Sequence, residues 1–201
     1  MNINSFLGSK KLSNFFWKTY REDPQNIETE SHRLLHRSGF ISQVSSGIFS
    51  FLPIGWRSIE KIKNIIRDEM NNSGALEINM PVVQPSDLWT KSGRIDTFIP
   101  PLAKFSDRRD NELIIAPTHE ETVTDMVAKN VSSYRDLPFI LYQIQTKYRE
   151  EPRPRAGLLR VREFEMKDAY SFDVDEEGLD ISYKKMIDAY NNIFRRCSTD
   201  V

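Results

Sequence analysis

The sequence predicts an α+β domain, a largely antiparallel sheet flanked by helices. Stretches of helical and of strand period are interspersed without the regular strand–helix alternation of a parallel sheet. Two long alternating stretches, 139–151 and 158–172, follow one another around a turn. No G-x-G-x-x-G and no G-x-x-x-x-G-K-[ST] occurs, which removes the common Rossmann and P-loop nucleotide sites.

The 201 residues suit one domain, or one domain plus a small appendage. At 39% hydrophobic the chain can bury a sizeable core. Its net charge of −1 means that contact with nucleic acid would have to come from a local patch. The one cysteine, Cys197, excludes an intramolecular disulfide and a cysteine-rich zinc site; it suits a reducing cytosol, so a cytoplasmic location is expected. No apolar run approaches the roughly 18 residues of a membrane helix, and no membrane partner is expected. The N-terminus lacks the apolar block of a secretory signal. Lys10 and Lys11, with no acid in the first thirteen residues, leave an organellar presequence open.

Along the chain, 28–38 reads as a helix stopped by Gly39. "GIFSFLPIGW" reads as an aromatic, turn-containing segment with Pro53 and Gly55 as breakers. In "WRSIEKIKNIIRDEMNNSG", Ile59, Ile62, Ile65, Ile66 and Met70 recur at helical spacing, and Gly74 lies just past the end. "ALEINMP" reads as a strand stopped by Pro81, and 84–105 as connection with little period. "ELIIAP" is a short buried strand, and a helix is expected from near Thr118 to Asn130. After the two alternating strands, 176–196 closes the chain as a helix with Ile181, Met186, Ile187, Tyr190, Ile193 and Phe194 as its apolar set.

The two alternating strands carry the chemistry. In the first, odd positions give Gln143, Gln145, Lys147, Arg149 and Glu151, and even positions give Tyr142, Ile144, Thr146 and Tyr148. In the second, Arg160, Arg162, Phe164, Met166, Asp168 and Tyr170 share a face, and the turn between holds Arg153 and Arg155. One reading is a solvated face with weak ion pairs. The other is a pocket for an aromatic, phosphorylated ligand: guanidinium groups for phosphate oxygens, a ring for a base and a carboxylate for an amine. Phe164, Met166 and Tyr170 on the charged face favour the pocket.

These residues carry a resemblance. "YREE…GLLRVREF" resembles motif 2 of the class II aminoacyl-tRNA synthetases, and "INMPVVQPSDLWTKSGR" resembles their motif 1 region, ending in a proline, here Pro81. "PTHEE" and "REFEMKDAYSF" are similar to the prolyl-tRNA synthetases of the bacterial type, and the likeness runs from about Leu12 to Cys197. The resemblance implies the class II antiparallel sheet flanked by helices. It implies ATP-dependent activation of proline to prolyl-adenylate, and transfer of the prolyl group to the 3′ end of proline tRNA. Carried over by residue, Arg149 would hold the ATP α-phosphate and the proline carboxylate. Glu151 would meet the adenine amino group, Phe164 would stack on the adenine, and Arg160 is a further phosphate candidate. Thr118 and Glu120 would hold the proline imino group, with Met166, Asp168 and Tyr170 around the proline. Arg153 would reach the tRNA acceptor end. Mg2+ is expected with ATP, and no resident metal site is expected.

Thr118 to Glu121 also has the Thr-x-x-Glu form of a capping box, with Thr118 as N-cap and Glu121 reaching back. Both assignments can hold, because they use different glutamates. His32 and His36 stand at i, i+4 but have no third ligand in sight. The run from Asp173 resembles an EF-hand loop but has Lys184 where a glutamate is required, so it reads instead as an acidic helix start. The stripe from Ile59 to Met70 is core or interface; since motif 1 forms the family's dimer contact, a homodimer is expected.

Residues 1–201 therefore read as the N-terminal portion of a class II catalytic core, with motifs 1 and 2. The motif 3 string G-x-G-x-x-R, the editing insertion and the anticodon-binding domain are absent from these residues. Either the chain is a fragment of a longer enzyme, or it is a truncated, non-catalytic relative or binding module that keeps the fold.

Overall fold

The computed structural model describes residues 15–23, 27 and 29–199. Lys10, Lys11, residue 28 at the expected start of the first helix, and Leu12 at the start of the family likeness lie outside them.

The scaffold is a long hairpin, β7 (Phe139–Tyr148) and β8 (Glu163–Phe172), in antiparallel register from Phe139 opposite Phe172 to Tyr148 opposite Glu163. The short strand β3 (Leu76–Glu77) adds to β7 in parallel, so this sheet is mixed rather than wholly antiparallel. "ALEINMP" thus contributes two strand residues, and its continuation towards Pro81 is irregular.

Strand alternation gives the hairpin two distinct faces. On one, Ile140, Tyr142 and Ala169 pack with Met70, Ala75, Ala189, Ile66 and Met186, closing the main core. Two helices supply that cover: α2 (Pro53–Asn72) and α5 (Glu176–Arg196). Their ends are tied where Arg196 meets Asp68 at 2.9 Å and Glu69 at 2.6 Å. Asp175 caps α5 by accepting from the Gly178 amide at 2.8 Å, with Glu176 and Glu177 in the first turn, so the acidic run is a helix start.

Three segments differ from expectation. First, "GIFSFLPIGW" is not a loose turn. Ile48–Phe51 is a strand, β2, paired with β1 (Ile41–Ser45) in a hairpin turned at Gly47, whose φ is +74°. Pro53 and Gly55 do not break structure but begin α2, since a proline in the first turn gives up an amide that has no partner there. Second, 84–105 is organised. It holds β4 (Val83–Pro85), α3 (Ser86–Lys91) and β5 (Lys104–Ser106), and β4 and β5 flank β6 (Glu112–Ile115). Here Trp89, Leu102 and Ile114 form a separate core with Leu88, Ile95 and Phe98. Third, the first helix, α1, spans Glu30–Arg37, capped by Thr29.

One backbone bond joins the second sheet to the hairpin. The Ala116 amide donates to Val82 O at 2.8 Å, extending the β4–β6 pairing, and the Tyr148 amide donates to Ala116 O at 3.0 Å across to β7. The chain leaving β6 is thereby brought to the end of β7, where the charged face of the hairpin begins.

A Cβ at Gly55 would lie 2.2 Å from the Phe40 carbonyl oxygen, which also accepts the Leu52 amide. Ala favours a helix over Gly by about 1 kcal/mol. Overpacking against a fixed backbone group costs about 1–3 kcal/mol, so the clash should win. Gly55→Ala is expected to lower the urea midpoint; a raised midpoint would mean that the carbonyl yields.

Candidate active site

The second face of the hairpin is lined as its register dictates. Gln143 lies opposite Asp168, Gln145 opposite Met166 and Lys147 opposite Phe164, with Tyr170 further along. At the core of this face sits Lys147, whose side chain is 0% exposed. Its Nζ lies 2.9 Å from Asp168 Oδ1 and 3.2 Å from Oδ2, and 2.7 Å from His119 Nδ1. Oδ2 of Asp168 also accepts from Gln143 Nε2 at 2.9 Å and from the Tyr170 hydroxyl at 2.6 Å. Gln143 Oε1 in turn accepts the Met80 amide at 3.1 Å.

The network assigns the His119 tautomer. An ammonium can only donate, so Nδ1 accepts from Lys147, and Nε2–H donates to Pro81 O at 3.0 Å. A neutral ring follows. Burial and then the Lys147 charge hold the His119 pKa below its usual 6.5. Burial pulls Lys147 down too, against the opposing pull of Asp168, while burial and the bond to Asp168 push Tyr170 up. Lys147, His119 and Gln143 had no role in the sequence reading. The available signal was a lysine at an alternate position facing an aspartate on the partner strand.

The capping box does not form. The helix α4 spans Glu120–Asn130 with His119 as N-cap and no side-chain cap bond. Thr118 Oγ1 instead bonds the carboxylate of Glu120. Glu121 is drawn away to Arg94 at 2.9 Å and to Ser92 Oγ at 3.1 Å. Arg94 also lies 3.6 Å from Glu120 and is held over the Trp89 and Phe98 rings at 5.4 and 5.3 Å. A strong charge-assisted partner outcompetes a backbone amide for Glu121. A capping box does form at Ser133 and Asp136.

Arg149 follows β7 directly. Its Nε donates to Pro117 O at 3.2 Å, and its guanidinium lies over the Phe164 ring at 5.4 Å from the centroid. The guanidinium therefore stands one residue from Thr118, on the face that carries Lys147 and Asp168. The strands stop at Tyr148 and begin again at Glu163, short of the expected Glu151 and Leu158. Pro152 and Pro154 cannot donate to a ladder, and only an isolated bridge joins Arg155 to Arg160. Within this loop Glu151 pairs with Arg160 at 2.9 Å and accepts the Arg153 amide at 2.9 Å. The bond to Arg160 is the main reason why Glu151 is held below the usual carboxylate pKa. The β1–β2 hairpin braces the loop: Gly47 O accepts the Arg162 amide at 2.8 Å. Close approach requires glycine here, since a Cβ at Gly47 would lie 2.8 Å from Pro154 Cβ.

His32 and His36 are engaged with rings, His32 edge-on to Phe49 at 5.7 Å and His36 beside Tyr20 at 5.1 Å. No cluster of three or more His, Cys, Asp or Glu placed to hold a metal occurs among the described residues. None of their helices is long and apolar enough to cross a membrane.

The mixed sheet carries a charged inner face, an arginine at the end of one strand and an aromatic residue beneath it, and comparison with known proteins gives the class to which this fold belongs. Residues 104–201 match the model of the tRNA synthetase class II core domain (G, H, P, S and T), and this part of the chain belongs to that family. Over its length the chain is similar to the catalytic-domain region of the prolyl-tRNA synthetases. It is 56% identical over 190 residues to proline--tRNA ligase of Dehalococcoides mccartyi, a match covering 94% of this chain and 33% of the relative. The chain thus spans about a third of the length of the curated relatives it matches. Among solved structures it is similar to Giardia lamblia prolyl-tRNA synthetase in complex with prolyl-adenylate, with TM-score 0.71 and 25% identity, over 77% of this chain and 33% of that one. It is also similar to the RNA binding domain of threonyl-tRNA synthetase from Cryptosporidium parvum, with TM-score 0.70 and 29% identity, over 77% and 38%. The two TM-scores are nearly equal, so the fold does not distinguish the prolyl from the threonyl enzyme; the 56% identity is to a proline--tRNA ligase.

The His119 shift has a sign that can be tested. Its folded-state pKa lies below 6.5, so below that pH the unfolded chain binds the proton more readily than the folded one. Stability is unaffected by His119 at higher pH and is lost as pH falls from about 6.5 towards the folded pKa. The urea midpoint should drop between about pH 7.5 and about pH 5.5, and His119→Asn should reduce that drop. His32 is lowered as well and contributes in both proteins. An equal drop in both would remove His119 as the cause.

Proposed function

We propose that this chain carries the proline-activating part of a proline--tRNA ligase, with ATP, proline and proline tRNA as its substrates. One observation supports this most directly. Arg149 Nε is tied to Pro117 O, which puts the guanidinium beside the Thr118–Glu120 pair and over Phe164. Groups suited to an anion and to an aromatic base thus adjoin on one sheet face, and the pair suited to a secondary ammonium follows directly on Pro117.

In this reading Glu120 and Thr118 receive the proline imino group, and Met166 and Tyr170 border the ring. The Arg149 guanidinium neutralises the carboxylate and the α-phosphoryl oxygens as they approach. As a carboxylate oxygen bonds to the α-phosphorus, the bond to pyrophosphate breaks and charge grows on the non-bridging oxygens. One fixed donor at that place contributes on the order of 10²–10³ in rate. Phe164 offers its ring to the adenine, Glu151 its oxygens to the adenine amine, Arg160 its charge to phosphate, and Arg153 its charge to the tRNA acceptor end. Mg2+ would arrive with ATP. We also infer that residues 1–201 form the N-terminal portion of the catalytic core, and that the active form is a cytoplasmic homodimer. Ile62, 43% exposed on α2, suits such a contact. The second reading, a non-catalytic binding module, predicts ligand binding without turnover.

In the complete gene product, Arg149→Ala is expected to reduce proline-dependent exchange of pyrophosphate into ATP by at least about 10²-fold; near-normal exchange would remove the assignment. Residues 1–201 expressed by themselves contain no G-x-G-x-x-R and should show little or no exchange. Robust turnover by that piece would show that a second arginine site is not needed.

A further inference from the structure

We infer that Lys147 and His119 are positioning residues for the amino-acid end of the site: they lock the Thr118–Glu120 pair onto the sheet, and Asp168 serves them rather than the substrate. This rests on the function proposed above. The Asp168 carboxylate is turned inward. Lys147, Gln143 and Tyr170 all donate to Oδ2, and Oδ1, which has no hydrogen bond, is buried against the Lys147 ammonium at 2.9 Å. A second cation there would sit against a lysine ammonium already 2.9 Å from the carboxylate. Glu120 differs: its side chain is 51% exposed, and its partners are the Thr118 hydroxyl and Arg94 at 3.6 Å.

His119 stands between Thr118 and Glu120 in the chain, and its ring is tied at both nitrogens, to Pro81 O and to Lys147. The Thr118 carbonyl is held as well, by Gln84 Nε2 at 3.1 Å, and Gln84 is itself held by Trp89 Nε1 at 2.8 Å. Fixing the ring and that carbonyl fixes the backbone on which the Thr118 and Glu120 side chains are mounted. The charged and titratable groups around the ring are Lys147 from β7, Asp168 and Tyr170 from β8, and Glu120 from α4. A proton on Nδ1 would face the Lys147 ammonium and break the tie, so the lock needs the neutral ring.

The test is steady-state pyrophosphate exchange by the complete gene product, with proline and ATP varied separately. His119→Leu removes both ring bonds. His119→Asn keeps an acceptor within reach of Lys147, and Lys147→Met removes the donor. His119→Leu and Lys147→Met should raise the KM for proline on the order of 10²-fold, with the KM for ATP changed by less than about twofold. His119→Asn should recover most of the loss. The wild-type proline KM should rise at acid pH, and His119→Asn should flatten that rise. If Lys147→Met does not fold, the Leu and Asn pair at His119 carries the test. Wild-type exchange together with an unchanged proline KM in His119→Leu, or proline and ATP KM rising together, would overturn the positioning role. A wild-type protein with no proline-dependent exchange would instead sink the underlying activity, and this inference with it.

Discussion

The arrangement turns on one buried cation. Lys147 is enclosed between two strands and the entry to a helix, and an ammonium taken out of water must find acceptors or pull its neighbours apart. Its acceptors come from two places, Asp168 on β8 and His119 at the start of α4. The bond to Asp168 holds the hairpin in its register; the bond to His119 docks α4 on the sheet. The net energy of such a pair is small, because desolvation costs several kcal/mol and offsets most of the attraction. Removing one partner is another matter, at about 3–5 kcal/mol, since a lone buried charge remains. The pair therefore adds little to the stability of the correct arrangement and heavily penalises the wrong ones. A site that must hold several polar groups in fixed relation benefits from that kind of restraint.

What was legible in the sequence was whatever periodicity encodes. Alternation over 139–148 and 163–172 gave both strands and the correct partition of faces, because burial on one side imposes a period of two. The long helices α2 and α5 were legible for the corresponding reason. The β1–β2 hairpin and the β4–α3–β5 segment were not. Their strands, three to five residues long, are too short to sustain a period, and their order comes from contacts distant in sequence, such as Trp89 on Leu102 and Ile114. The capping box failed on similar grounds: Thr118 and Glu121 match the local pattern, but Arg94, far back in the chain, competes for the glutamate.

Periodicity also finds a stripe without saying which part of it is covered. On α5 the buried line is Ser182, Ala189 and Ile193, while Ile181, Ile187, Tyr190 and Phe194 of the expected apolar set are exposed. On α2, Ile62 is exposed and Lys63 is buried, with its ammonium over the Trp56 ring at 4.5 Å and 2.5 Å from Glu165 on β8. Ion pairs set this rotation. Glu165 turns Lys63 inward, and Asp68 and Glu69 hold Arg196 at the far end. A hydrophobicity pattern scores a lysine as surface and cannot register a turn of the helix imposed by charge.

The same internal pairing bears on how the site would take its substrates. Arg149 uses Nε on Pro117 O, which fixes the plane of its guanidinium and presents the terminal nitrogens as the fork that meets a carboxylate or phosphate. Its place over Phe164 means that the ring and the cation are already stacked. An adenine entering there would extend a stack rather than begin one. Glu151 is held as an anion by Arg160, so it remains an acceptor, which is the role an amine donor requires. Glu151 is thus kept anionic by a partner within the chain. Under the proposed function an adenine amine would meet an acceptor that is already ionised, and an anion would meet an Arg149 fork that is already fixed at Nε.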